Sequence, residues 1–185
     1  ERLSKSGWNV LAADNNADKL AWTSGVSGVA GFVADITSED DNRRMVAEAE
    51  ARFGGLHAAV FNAGVTGGGS IDTMSFDKFE RVIGVNLFGT VRGIRAVLPA
   101  LRKRGNGAIV VLSSTNGLAG DSENWAYTAS KHALIGVVRS LARELGWEGI
   151  RINALCPGPT RGTGMTAQIE EIAPAHYEML KGQIP

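Results

Sequence analysis

Five short apolar runs, each closed by a polar or glycine-containing turn, alternate along this chain with segments of helical periodicity. That alternation restricts the fold more than any single residue does. The runs are Trp8 to Ala13, ending at Asp14; Val29 to Ala34, closed by Asp35; His57 to Phe61, running into Asn62-Ala63-Gly64; Ala108 to Leu112, ending in Ser113-Ser114; and Ile150 to Leu155, closed by Cys156-Pro157-Gly158-Pro159. Each has strand length, and the continuous apolar stretch Ala108 to Leu112 suits a strand covered on both faces. Between them, Glu1 to Ser6 reads as the last turns of a helix stopped by Gly7, and Ala17 to Trp22 as a short helix. Asp40 to Phe53 reads as an amphipathic helix stopped by Gly54-Gly55. Phe76 to Leu101 forms one long helical pattern with Asn86 on its apolar stripe, and Tyr127 to Trp147 another with a broad apolar face from Leu134 to Leu145. Strands joined through helices pair in parallel, because a parallel crossover needs a connection long enough to return the chain. The expected fold is α/β, a doubly wound parallel sheet with helices on both faces. Ligands of such sheets gather at the strands' carboxyl ends, so Asp14, Asp35, Asn62 to Gly64, Ser114 and Pro157 to Thr160 are expected to face one crevice.

Composition narrows the partners. Lys+Arg 19 balances Asp+Glu 19, which removes the electrostatic attraction that draws proteins to nucleic acid or to anionic membrane. Neither is an expected partner. Cys156 is the single cysteine, which excludes an intramolecular disulfide and a Cys-rich metal site. His57, His132 and His176 fall on unrelated segments, and no metal is expected. No apolar run has bilayer-spanning length and no signal pattern opens the chain, so a soluble cytoplasmic protein is expected. With 44% hydrophobic residues in 185, the chain can bury one core as one domain over residues 1–185. Gly67-Gly68-Gly69 is read as a pliable loop, since no Lys-Ser/Thr follows it.

Tyr127 and Lys131 are four residues apart at the start of a helix, which puts their Cβ atoms about 5–6 Å apart on one face. A tyrosine phenol ordinarily titrates near about 10. A neighbouring ammonium favours the phenolate, so the pair is expected to form an acid/base with a lowered pKa. Ser114, at the end of a strand, is expected to hold a substrate carbonyl or hydroxyl oxygen beside the phenol. Alone, the Tyr-x-x-x-Lys spacing also describes an exposed helical pair with no chemistry. Its neighbours give it meaning: Asn62-Ala63-Gly64 after a strand, Asn86 in a helix, Ser114 after the next strand, Tyr127-Thr128-Ala129-Ser130-Lys131, and Pro157-Gly158 after the last strand, in that order.

That series resembles the short-chain dehydrogenase/reductase family, including the thirteen-residue step from Ser114 to Tyr127. The resemblance implies a Rossmann-like domain of three α/β/α layers. It also implies an NAD-dependent oxidoreductase that moves a hydride between the cofactor and a secondary alcohol or ketone. By the same resemblance, Tyr127 is the acid/base, Ser114 positions the reacting oxygen in preference to Ser113, Lys131 also binds the nicotinamide ribose, and Asn86 anchors a water that links Lys131 to solvent. Asn62, Ala63 and Gly64 would pass near the adenosine ribose, Asp35 and Ile36 near the adenine, and Pro157, Gly158 and Thr160 beside the nicotinamide. Asp14 ends the second family strand, where a carboxylate accepts from both ribose hydroxyls and repels a 2′-phosphate, so NAD is expected over NADP. The helices carrying Asn86 and Leu134 to Leu145 commonly form a four-helix interface in the family, which implies a homodimer or homotetramer.

The resemblance covers essentially the whole chain, with two departures. The family's first strand and its Thr-Gly-x-x-x-Gly-x-Gly turn do not precede the helix ending at Gly7, and the sequence stops at Gln183-Ile184-Pro185, before the family's last strand. The domain is therefore expected to be incomplete, as the truncated sequence of a complete enzyme or as a short product in its own right. The family's first strand is central to its sheet, so the runs ending at Asp14 and Phe61 are expected to face a gap and dinucleotide binding to be weak. Two other functions stay open: an NADP-linked 3-oxoacyl thioester reductase and a non-catalytic dinucleotide-fold fragment. Substrate identity is expected to depend on the Asp121 to Ala126 loop, including Glu123 and Trp125, and on a lid from Thr160 to Tyr177.

Overall fold

The structure, a computed structural model, describes residues 2–122 and 124–160 together with positions 163, 167, 171 and 178. Glu123, His176 and most of the expected lid after Thr160 lie outside the described residues. Five strands form: β1 (Val10–Asp14), β2 (Val29–Val33), β3 (Ala58–Phe61), β4 (Gly107–Leu112) and β5 (Ile150–Leu155). All pairings are parallel, as the helical connections require. The fold is Rossmann-like α/β, but its sheet is in two pieces, with β1 against β2 in one and the order β3-β4-β5 in the other. β1 and β3 are not hydrogen-bonded to each other. Just before their amino ends Trp8 and His57 meet edge-to-face with ring centroids 6.2 Å apart, a side-chain contact between the two pieces.

The helices are α1 (Arg2–Lys5), α2 (Glu39–Phe53), α3 (Phe76–Ile83), α4 (Thr90–Arg104) and α5 (Trp125–Leu145). Ser38 caps α2 by accepting from the Asp41 N–H, three acidic residues occupy its first turn, and Gly54 ends it in the left-handed conformation. The segment Ala17–Thr23 is a 3-10 helix capped by Asn16. The expected single helix from Phe76 to Leu101 runs on to Arg104 and is interrupted by one π-helical turn, Gly84–Gly89, which carries Asn86. By length and composition this stretch, Phe76–Arg104, is apolar enough to cross a membrane, contrary to the reading from sequence. Its apolar residues Ile94, Val97, Ala100 and Leu101 are instead packed into the core.

That core gathers Val46 of α2, Ile94 and Leu101 of α4, and Leu134, Val138 and Leu145 of α5 against Phe61, Ile109, Val111, Ile150 and Ile152 of the strands. The buried strand residues alternate, as side chains on one face of a sheet must. On the opposite face Val60 is 57% exposed and Leu155 55% exposed, while Val110 and Leu112 of β4 are half-buried there. Gly93 lets α4 approach β3: a Cβ there would overlap the Phe61 ring.

We expect Gly93→Ala to lower stability by about 1–3 kcal/mol through overpacking. Gly136→Ala on α5, where a Cβ meets nothing within 4 Å, should instead raise it by up to about 1 kcal/mol through helix propensity. Urea unfolding of the two variants checks this, and equal effects would contradict the packing.

Candidate active site at the strand ends

The carboxyl end of β4 and the first turns of α5 bring three of the expected residues together, Ser114, Tyr127 and Lys131. After β4, Ser114 turns into a short 3-10 helix, Thr115–Gly117, and its hydroxyl accepts the Asn116 N–H at 3.1 Å. On its other side the Ser114 side chain acts on the Tyr127 phenol, opposing the rise in its pKa. Ser113, the rival serine, points the other way. It is buried and donates to the Lys131 carbonyl at 2.9 Å, which pins α5 to the end of β4. Gly117 makes this contact possible, because a Cβ there would overlap Ser113 Oγ and lie 2.9 Å from the Lys131 carbonyl oxygen.

Lys131 is only 3% exposed. Its Nζ donates to the Leu112 carbonyl at 2.7 Å and lies 5.4 Å from the centroid of the Tyr127 ring. Burial disfavours the ammonium and lowers the Lys131 pKa to about 8. Burial also raises the Tyr127 pKa above its ordinary value, with the Ser114 hydrogen bond acting in the opposite sense. The sequence led us to expect a phenol with a lowered pKa. The difference arises because the phenol is buried, so desolvation prevails.

Asn86 is fully buried on the π-helical turn, and its carboxamide is a brace. Oδ1 accepts from Val65 N–H at 2.8 Å, while Nδ2 donates to Val65 O at 2.9 Å and to Ser130 Oγ at 3.0 Å. Its main-chain carbonyl accepts from the Thr90 hydroxyl at 2.8 Å. The loop after β3 is thereby fixed beside the pair: a Cβ on Gly64 would stand 3.3 Å from Asn86 Oδ1 and 3.6 Å from Lys131 Nζ. Pro157 and Gly158 join the same region, Pro157 O accepting from Thr115 N–H at 2.9 Å and Gly158 lying close to Thr115 Cγ2. Thr160 donates its hydroxyl to Gly158 O at 3.2 Å. The neighbouring loop is tied by Asn116 and Asn124, both donating to Asp121, and by Thr66, which donates to Asn124 Oδ1 at 3.1 Å.

The remaining expected residues lie at the ends of β1 and β2. Asp14 Oδ1 accepts the Asn16 N–H at 2.9 Å. Asp35 Oδ1 accepts from both the N–H and the hydroxyl of Thr37 at 2.8 Å, so that carboxylate shapes its own turn. Ile36 packs towards Gly89, three residues beyond Asn86, and Asn42 holds the Ile36 carbonyl at 2.8 Å. Asn62 and Ala63 lie between β3 and Gly64, both exposed. Sequence reasoning missed the parts of Ser130, Val65 and the Leu112 carbonyl. Ser130 was visible as the residue before Lys131, while the other two act through backbone atoms that carry no sequence signal.

Known proteins share this layout. The short chain dehydrogenase family profile matches residues 1–173. An uncharacterised NAD-dependent oxidoreductase of Mycobacterium tuberculosis is 47% identical over 124 residues, which are 66% of this chain and 45% of that protein. A 3-alpha-(or 20-beta)-hydroxysteroid dehydrogenase from the same organism is 40% identical over 137 residues, 74% of this chain and 52% of that one. The chain thus spans about half the length of these relatives. The crystal structure of a 3-ketoacyl-ACP reductase from Sinorhizobium meliloti 1021 superposes with a TM-score of 0.81 at 34% identity, covering 85% of this chain and 65% of that one.

The depressed Lys131 value has a sign that can be tested. Below about pH 8 the folded chain must bury an ammonium, whereas the unfolded chain keeps its lysine protonated up to about 10.4. This contribution to stability is therefore fully present above the unfolded value and is lost as pH falls through about 8. We expect the wild-type protein to gain up to about 3 kcal/mol between pH 7 and pH 10, and Lys131→Met to lack that gain. Urea midpoints at the two pH values decide it, and the same gain in both proteins would refute the assignment.

Proposed function

The chain belongs to the short-chain dehydrogenase family, and from that premise we propose that the whole protein is an NAD-dependent oxidoreductase acting on a secondary alcohol or ketone. The observation that carries the reading is the meeting of Ser114, Tyr127 and Lys131 at one strand-helix junction, all three buried, with the serine side chain acting on the phenol. A structural pair on a helix surface needs neither the burial nor the serine.

The residues at the strand ends fit a dinucleotide. Asp14 would hold the adenosine ribose hydroxyls, Asp35 and Ile36 would border the adenine, and Asn62, Ala63 and Gly64 would pass the ribose. Lys131 would hold the nicotinamide ribose, and Pro157, Gly158 and Thr160 would border the ring. The absence of a Cβ at Gly64 lets Asn86 Oδ1 and Lys131 Nζ come close to the loop backbone, which keeps the lysine at the strand-end crevice where a dinucleotide would bind. When bound, the cofactor supplies or accepts the hydride. The protein's own part is proton transfer. In reduction, the Tyr127 phenol gives its proton to the carbonyl oxygen as that oxygen becomes a hydroxyl. Ser114 donates a hydrogen bond to the same oxygen, and the Lys131 ammonium stabilises the phenolate left behind. Oxidation runs the same proton backwards. The raised Tyr127 pKa keeps the phenol protonated at neutral pH, which suits the acid role.

NAD is preferred because Asp14 would repel a 2′-phosphate. The similarity to a 3-ketoacyl-ACP reductase favours a second reading, an NADP-linked 3-oxoacyl thioester reductase. The similarity to a 3-alpha-(or 20-beta)-hydroxysteroid dehydrogenase supports including hydroxysteroids among the alcohols tried. Homo-oligomerisation through α4 and α5 in the cytoplasm is part of the same proposal, supported by Phe88, exposed at the junction of the π-turn and α4.

Tyr127→Phe should lower kcat by at least about 100-fold with the NAD dissociation constant unchanged. Stopped-flow turnover and calorimetry measure the two, and retained turnover removes Tyr127 from the mechanism. Faster turnover with NADPH and a 3-oxoacyl thioester than with NAD and any secondary alcohol would support the second reading.

A further inference from the structure

Ser130 lies one residue before Lys131 and touches no atom expected to react, yet it is fully buried with its hydroxyl engaged on both sides. The hydroxyl donates to the Tyr127 carbonyl at 2.6 Å and accepts from Asn86 Nδ2 at 3.0 Å. Asn86 uses its other N–H and its Oδ1 on the backbone of Val65. A path of hydrogen bonds therefore joins Val65, after β3, to Asn86 on the π-helical turn, then to Ser130, then to the backbone of Tyr127.

A helical serine bonding back to a carbonyl one turn earlier is common and has little consequence by itself. Here the same oxygen also receives a donor from another helix, 44 residues away in sequence. Removing the hydroxyl would leave one Asn86 N–H buried without a partner, an expensive state that is relieved by movement of the turn.

We propose that Ser130 is a positioning residue for Tyr127: it locks the first turn of α5 to the π-helical turn, so that the phenol keeps its place relative to Ser114, Lys131 and the Val65 loop. This rests on the acid/base reading of Tyr127. The neighbouring Ser113 does a related job one turn on, through the Lys131 carbonyl, so the two serines fix the backbone at both members of the pair. A displacement of about 1 Å at a reacting group can cost about 100-fold in rate, which sets the scale expected.

The test uses Ser130→Ala and Ser130→Cys in the whole protein, the cysteine filling the same space with a much weaker hydrogen-bonding group. Ring-labelled tyrosine gives separate NMR signals for the tyrosines, and Tyr127→Phe identifies which is Tyr127. In both variants kcat should fall about 10- to 100-fold with the cofactor dissociation constant nearly unchanged. The Tyr127 titration midpoint should drop from its raised value towards the ordinary one as burial loosens. A cooperative thermal transition in Ser130→Cys shows that the fold survives. If both variants keep the wild-type midpoint and the wild-type kcat, the proposal is overturned. If the wild-type protein itself shows no turnover on any alcohol or ketone, the functional reading fails, and the NMR comparison alone decides the positioning role.

Discussion

A carboxamide with no access to water must place its N–H groups and its oxygen on protein partners, and Asn86 does so across three parts of the chain. That constraint organises the region. It fixes the backbone of the loop after β3, connects it to the π-helical turn, and reaches α5 beside Tyr127. A regular α-helix advances 3.6 residues per turn. The π-helical turn at Gly84–Gly89 widens that spacing locally, as such turns do at functional sites. The small residues around it matter for the same reason: Gly89 admits Ile36 and Gly64 admits Asn86.

Burial then sets the chemistry. Both members of the Tyr127 and Lys131 pair are withdrawn from water, and in each case desolvation favours the neutral form, raising the phenol and lowering the ammonium. The two values move apart from nearly equal starting points, which keeps the proton on the phenol and leaves the lysine the readier of the two to lose its own. Ser114 and Ser113, adjacent in sequence, divide two tasks because successive residues of an extended backbone point to opposite sides. One faces the phenol, while the other anchors the helix.

Much of this was legible in the sequence because it depends on periodicity. The strand ends at Asp14, Phe61, Leu112 and Leu155 follow from apolar runs meeting polar turns, and the parallel pairing follows from the helices between them. The family's serine-to-tyrosine step also pointed to Ser114, the serine on the side of the phenol. Other features had no local signature. The π-helical turn depends on where a buried asparagine finds its partners. The exposure of Val60 and Leu155 depends on what packs over a sheet face, which an apolar run cannot report. The direction of the Tyr127 shift turned on how far the phenol is buried, which side-chain spacing along a helix leaves undetermined.

The central claim is that the Asn86 brace holds the site together, and the Val65 amide reports on it directly. Val65 belongs to no strand or helix, so its N–H would exchange with solvent at loop rates were it not bound by Asn86 Oδ1. Residue-resolved hydrogen exchange on the whole protein should find that amide protected to a degree comparable with the core of β4, far above the Gly67 to Gly69 loop that follows. Exchange of Val65 at the rate of that loop would contradict the account.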